Sequence, residues 1–216
     1  MSTPIRYIHT GGEAEIEVKR SRFIAALAPV TDEESAAAFI DERRRLHRQA
    51  RHNCSAFVIG NRSEITRCSD DGEPPHTAGR PMLDVLLGAE LHDVCVVVTR
   101  YFGGILLGTG GLVRAYQSAV QAGIEACVTG FRRQGIPVTI RADYTDAGRI
   151  GSFVAEHAYP TLSVDYAESV TYRLLIPPED AAAVRTSVLD LSRGKIDPEM
   201  EDLTWYRDVE GTILLP

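Results

Sequence analysis

Apolar and polar positions repeat at two periods along this chain, and the switches between them outline its elements. Residues 5–10 and 14–18 alternate as strands do, around Thr10-Gly11-Gly12, which reads as a hairpin turn. Another strand is predicted over 23–30. Thr31 with Glu34 three residues on has the form of a capping box. The helix it opens has Ala37, Phe39, Ile40 and Leu46 as apolar contacts. Residues 53–60 and 64–68 read as a strand pair about Gly60-Asn61-Arg62-Ser63. In the first of the two, Cys54, Ala56 and Val58 share one face, and Ser55, Phe57 and Ile59 the other. Thr77 is placed to cap a helix with Pro81 in its first turn, a stripe at Met82, Val85 and Leu86, and an end at Gly88. Residues 94–98 are continuously apolar, which predicts a central strand covered on both faces. Thr109-Gly110-Gly111 then opens a long helix over 112–128.

From residue 134 the pattern is cleaner. A strand over 136–144 leads to a helix over 146–158, with Ile150, Phe153, Val154 and His157 facing in. Strands over 161–166 and 171–176 flank Ala167-Glu168. A helix over 178–191 ends before Gly194, and a last strand starts at Ile196. The order βαββαβ predicts a ferredoxin-like domain. That stretch holds no cysteine, so it is not an iron–sulfur carrier. Residues after Tyr206 are weakly patterned and read as a flexible tail.

Charge sharpens the division. Residues 134–216 hold 7 Lys and Arg against 14 Asp and Glu, whereas residues 1–133 balance 16 against 16. The break falls at the end of a helical pattern, where a glycine and a proline follow. The expected organisation is α+β in two domains, 1–133 and 134–206, with a tail over 207–216. The acidic total argues against bulk nucleic-acid affinity, although a neutral half can carry a basic face. No apolar run approaches the roughly 20 residues of a membrane span, and the first residues lack a signal peptide's basic flank and apolar core. Cys54, Cys68, Cys95 and Cys127 have no CxxC pairing. They read as reduced, buried residues of a cytoplasmic protein.

Three segments carry candidate chemistry. Residues 43–52 hold five arginines and two histidines. Arg44, Arg48, Arg51 and His52 read either as a solvated helix end, where cations suit the dipole, or as an anion or nucleic-acid contact. The loop from Ser69 gathers Asp70, Asp71 and Glu73, then Pro74-Pro75, His76, Thr77 and Arg80. Its carboxylates suit a turn capped by Asp side chains or, without an EF-hand spacing, Mg²⁺ or Ca²⁺. Arg100 and Tyr101 lead into Gly103, Gly104, Thr109, Gly110, Gly111 and Arg114. Five glycines in the nine residues 103–111 imply close packing or a backbone approached by a ligand. The spacing matches neither a Walker loop nor a dinucleotide fingerprint. Tyr101 and Phe102 are core aromatics or a stacking platform. Cys54, in a His-Asn-Cys string, reads as a buried thiol rather than a nucleophile.

The strings SRFIA, HRQARHNCSAF, CSDDGEPPHTAGRPML and VVVTRYFGGILLGTGGLVRAY closely resemble the IMPACT/YigZ family of uncharacterised proteins, over roughly residues 19–122. The resemblance implies a first domain like the second domain of a small-subunit ribosomal protein, and a second domain like the last domain of elongation factor G. It further implies eukaryotic relatives that compete for a partner of a translation-control kinase. Pro75 and His76 depart from the small residue usual before Thr77-Ala78-Gly79. The expectation is a non-enzymatic binding protein without a cofactor or membrane contact, whose partner is the ribosome, RNA or a protein in translation control. The alternative is a phosphate- or nucleotide-binding protein or Mg-dependent enzyme that uses the SDDGEP and GTGG loops.

Overall fold

The computed structural model describes residues 3–215; residues 1, 2 and 216, at the outer ends of the predicted first domain and tail, lie outside the described residues. The protein is a two-domain α+β chain, with one compact unit over Ile5–Phe131 and another from Arg132 onward.

The first unit runs β1 (Ile5–Thr10), β2 (Gly12–Val18), β3 (Ser21–Pro29), α1 (Glu33–Leu46), β4 (His52–Ile59), β5 (Ile65–Ser69), α2 (Gly79–Gly88), β6 (Leu91–His92), β7 (Val94–Tyr101) and α3 (Thr109–Glu125). Its antiparallel sheet has the order β2-β3-β7-β4-β5. The period-2 pattern sorts the side chains of β4 and β7 between two cores. Cys54, Ala56, Val58, Val94, Val96 and Val98 meet α2 and α3 through Met82, Leu86 and Tyr116. Phe57, Ile59, Cys95 and Val97 meet α1 through Ala36, Phe39 and Ile40. Tyr116, Phe23, Met82 and Leu86 are fully buried. Burial of each large apolar side chain contributes on the order of 1.5–3 kcal/mol.

Several local expectations are corrected. β1 and β2 do not form a hairpin: β1 pairs in parallel with β6, and β2 pairs with β3. The hairpin turn is Lys19-Arg20, with φ of 48° and 64°. The cap of α1 is Asp32 rather than Thr31. Its carboxylate accepts from the Ser35 N–H at 2.7 Å, and the Ser35 hydroxyl accepts from the Asp32 N–H at 3.2 Å. Thr77 does not cap α2; its hydroxyl donates to the Pro74 carbonyl at 2.6 Å. Cys68 is exposed, unlike buried Cys54 and Cys95.

The chain continues with β8 (Val128–Ala142), whose residues from Arg132 on belong to the second unit, and then α4 (Tyr144–His157), β9 (Thr161–Tyr166), β10 (Val170–Ile176), α5 (Ala181–Leu191), β11 (Glu199–Met200), β12 (Thr204–Val209) and β13 (Thr212–Leu214). Both β10 and β11 pair antiparallel with β8, and β9 pairs with β10. The ferredoxin-like strand order β11-β8-β10-β9 results. Val138, Ile140, Tyr172 and Leu174 pack under α4 and α5 with Ile150, Phe153 and Val184. His157 is exposed rather than facing in, and its ring stacks on Tyr159 at 5.5 Å. Gly135-Ile136-Pro137 does not break the chain; it lies inside β8. Pro137 fits because the neighbouring segment asks only for its carbonyl, which accepts from the Glu201 N–H at 2.9 Å. Residues 207–214, read from the sequence as tail, are mostly strand, since β12 and β13 form a hairpin.

Candidate functional site

The carboxylates after β5 diverge rather than converge. Asp70 reaches forward to the start of α2. Its Oδ1 accepts from the N–H groups of Ala78 (3.0 Å) and Gly79 (2.8 Å), and its Oδ2 from that of His76 (2.8 Å). Burial alone would raise its pKa, but these three donors outweigh it and hold Asp70 below the usual carboxylate range. The helix start can sit this close because residue 79 is glycine: a Cβ there would lie 2.7 Å from the Ser69 backbone. Asp71 turns the other way, accepting from the Asn53 N–H at 2.7 Å and from Arg44 at 3.1 Å. Arg44 is therefore tied to the loop rather than free on its helix.

Glu73 points inward. Its Oε1 accepts from Arg100 at 2.7 Å and from the Tyr116 hydroxyl at 2.8 Å. The side chains of Arg100 and Glu73 are only 8% and 3% exposed. The Tyr116 oxygen lies 3.3 Å from Cys54 Sγ, which in turn lies 3.0 Å from the Asp70 carbonyl oxygen. Burial pushes the Cys54 thiol and the Tyr116 hydroxyl well up. Cys54 is thus a protonated member of a buried polar chain and not a thiolate. Among the described residues, no group of three His, Cys, Asp or Glu is placed to hold a metal ion.

Arg100 joins this buried chain to the surface. Its guanidinium lies over the rings of Phe23 (5.4 Å) and Phe102 (5.7 Å). It also forms one wall of a cleft of about 660 Å³, together with Arg51, His52, Tyr101, Phe102 and Leu106; Gln49 and Ala50 complete it. The structure therefore brings Arg51 and His52 beside Arg100 and Tyr101. The His52 Nδ1–H donates to the Asp71 carbonyl at 2.9 Å, so the loop also fixes this wall. Tyr101 is half-buried, with Arg22 over its ring at 5.5 Å. His47 accepts from Arg43 at Nε2 (3.0 Å), which leaves the proton on Nδ1 to be donated to the Tyr101 oxygen (3.0 Å). Burial and the Arg43 cation both hold His47 below the usual imidazole range. Arg43 itself is buried and paired with Glu13.

The other predicted residues lie elsewhere. Thr109, Gly110 and Gly111 form the first turn of α3, after Gly108 at φ 73°. Arg114 faces a different hollow of about 220 Å³, with Lys19, Leu107 and Gly111. Arg80 pairs with Asp84 at 2.8 Å. Gly103 is glycine for packing: a Cβ there would fall 2.0 Å from the Arg20 carbonyl carbon. Gly104, at φ 84°, has open space around it. The sequence-derived candidates omit Gln49, Ala50 and Leu106, whereas Phe102, read as a core aromatic or a stacking platform, lies in the cleft wall. Two adjacent large aliphatics, Ile105 and Leu106, in a glycine-rich loop were the available signal, because turn chemistry does not ask for them.

Fold and site together define a two-domain α+β protein with a basic, aromatic-walled cleft on its first domain. An Impact N-terminal domain matches residues 19–124, and a domain of unknown function, DUF1949, matches residues 140–195. The chain is similar to IMPACT family member YvyE of Bacillus subtilis, 39% identical over 198 residues, covering 92% of this chain and 91% of that one. It is also similar to YigZ of Escherichia coli, 37% identical over 182 residues, covering 83% and 89%. A crystal structure of a hypothetical protein superposes with a TM-score of 0.59 at 33% identity, covering 94% of this chain and 99% of that one. The chain belongs to the IMPACT family.

Proposed function

We propose that this chain is a non-enzymatic binding protein that acts in translation or its regulation, through contact with RNA, the ribosome or a protein. The cleft carries the reading. Arg51, His52 and Arg100 line it beside exposed aromatic and aliphatic surface, and no carboxylate does. Such a wall attracts an anionic partner and desolvates readily against it. The translation setting follows from the family, whose eukaryotic members the resemblance places in translation control. A Mg-dependent phosphate site fits less well. Asp70 is spent on the α2 backbone, Asp71 on Asn53 and Arg44, and Glu73 on Arg100.

Co-sedimentation with ribosomes and with free RNA, at low and high salt, tests this reading. Arg48→Ala combined with Arg51→Ala removes two exposed cations that form no ion pair among the described residues, so the fold is retained. The expected result is binding at low salt that falls with salt and with the double variant. Absence of binding at low salt, with RNA or with ribosomes, rules out direct contact.

A further inference from the structure

We infer that the cleft docks a protein segment combining acidic and large apolar side chains, with the apolar anchor on Phe102 and Leu106 and a carboxylate on Arg51, beside the Glu73-paired Arg100. The inference rests on the binding reading above and names its partner class. The loop between β7 and α3 exposes three large apolar residues: Phe102 at 57%, Ile105 at 41% and Leu106 at 81%. Their exposure is built in. At one end, Gly103 sits on the Arg20 backbone and donates its N–H to the Ser21 hydroxyl at 3.2 Å. At the other, Leu107 turns in to pack on the core, and Gly108 takes a positive φ to start α3. A loop pinned at both ends holds out its apolar residues without a folding reason, which is how a pre-organised interaction site differs from a frayed turn.

Charge selects the partner. Arg51 stands exposed on the wall, and Arg100 beside it is held by its own counter-ion, Glu73, 2.7 Å away and 3% exposed beneath the wall, so the net positive charge of the cleft comes from Arg51. Arg48 adds a cation one residue before Gln49. RNA would satisfy the cations, and Phe102 could stack on a base. The aliphatic pair Ile105 and Leu106 offers a base no stacking face, whereas it matches the anchor-in-pocket form of protein recognition.

The test probes the full chain with an array of twelve-residue synthetic peptides in three classes: Leu, Ile and Phe with Asp and Glu; the same apolar residues with Lys and Arg; and Asp and Glu with Ser and Gly. A labelled oligouridine serves as the RNA probe. Leu106→Ser changes only an exposed side chain, and Arg51→Ala an exposed cation. Among the three peptide classes, the expected result is retention of the acidic–apolar class alone, weakened about tenfold or more by each substitution. Oligouridine binding that needs Arg51 but ignores Leu106 would overturn the inference while leaving the binding reading standing. Retention by acidic peptides without apolar residues would overturn it in the same way. If neither peptides nor RNA bind and ribosomes do not co-sediment, the binding reading itself fails.

Discussion

Replacing Glu73 by Gln keeps the shape of the side chain and an acceptor for Tyr116, but removes the charge that faces Arg100. The guanidinium then stays 8% exposed with no counter-ion, between the rings of Phe23 and Phe102. Two unit charges about 4 Å apart at an effective dielectric constant near 20 interact by about 4 kcal/mol. That agrees with the roughly 3–5 kcal/mol lost when one member of a buried pair is removed. Arg100→Met should cost a similar amount, because it strands Glu73 with only the Tyr116 donor. The double variant leaves no buried charge, so its cost should approach that of either single change, a coupling of about 4 kcal/mol. The lone tryptophan, Trp205, lies in the second unit. Denaturant-dependent hydrogen exchange, followed on peptides from β7 and α3, reads the first unit separately. Single losses below about 1 kcal/mol, or losses that simply add, would refute the coupling.

Two further outcomes follow from the same loop and its neighbours. Asp70→Ala removes a cap from three N–H groups and should destabilise the first unit by about 1–2 kcal/mol at neutral pH. Because the folded pKa of Asp70 is depressed, its stabilisation is present above the unfolded carboxylate pKa and disappears as pH falls through the folded value. The gap between wild type and variant in urea midpoints should therefore close in acid, and a gap independent of pH would contradict the capping role. Cys68, exposed although burial and Asp70 raise its pKa, should react with a thiol reagent in the native state, whereas buried Cys54 and Cys95, the latter pushed up to about 12 by burial, should stay protected until denaturation. Loss of the fast phase in Cys68→Ser checks the assignment.

The legible parts of the fold were those where one period decides everything. Residues 94–98 read as a strand covered on both faces and are one, and the alternation in residues 53–60 assigned the faces of β4 correctly. The βαββαβ order of the second half was equally plain. Thr10-Gly11-Gly12 misled because glycine there answers to contact, not to chain reversal. A Cβ on Gly11 would meet the Leu27 carbonyl oxygen at 2.4 Å, and one on Gly12 that of Ala126 at 2.3 Å. Conversely, Lys19-Arg20 makes the real turn without the Asn-Gly chemistry that usually marks two positive φ values. At the site, sequence proximity grouped Asp70, Asp71 and Glu73, yet their side chains serve three different partners. Arg51 and Arg100, far apart in sequence, share one cleft because β4 and β7 are neighbours and His52 pairs with Arg100 in register.

A buried ion pair is weak evidence for stability, since well-packed apolar residues of similar volume serve as well or better. The position of this one supplies another reason for it. Glu73 belongs to the loop that caps α2, while Arg100 stands at the end of β7 and touches both Phe102 and the cleft. The pair therefore sets a cation in the wall of the cleft at a point where the apolar loop begins. Glu73→Leu with Arg100→Met would keep the volume and remove the charge. If stability were the purpose, that variant would fold and bind as before. If the purpose is recognition, it should still fold, at a cost of about 1–3 kcal/mol for the Tyr116 hydroxyl left without its acceptor, and lose the acidic–apolar peptides by about tenfold or more. Retained peptide binding in a stably folded double variant would assign the pair to packing alone.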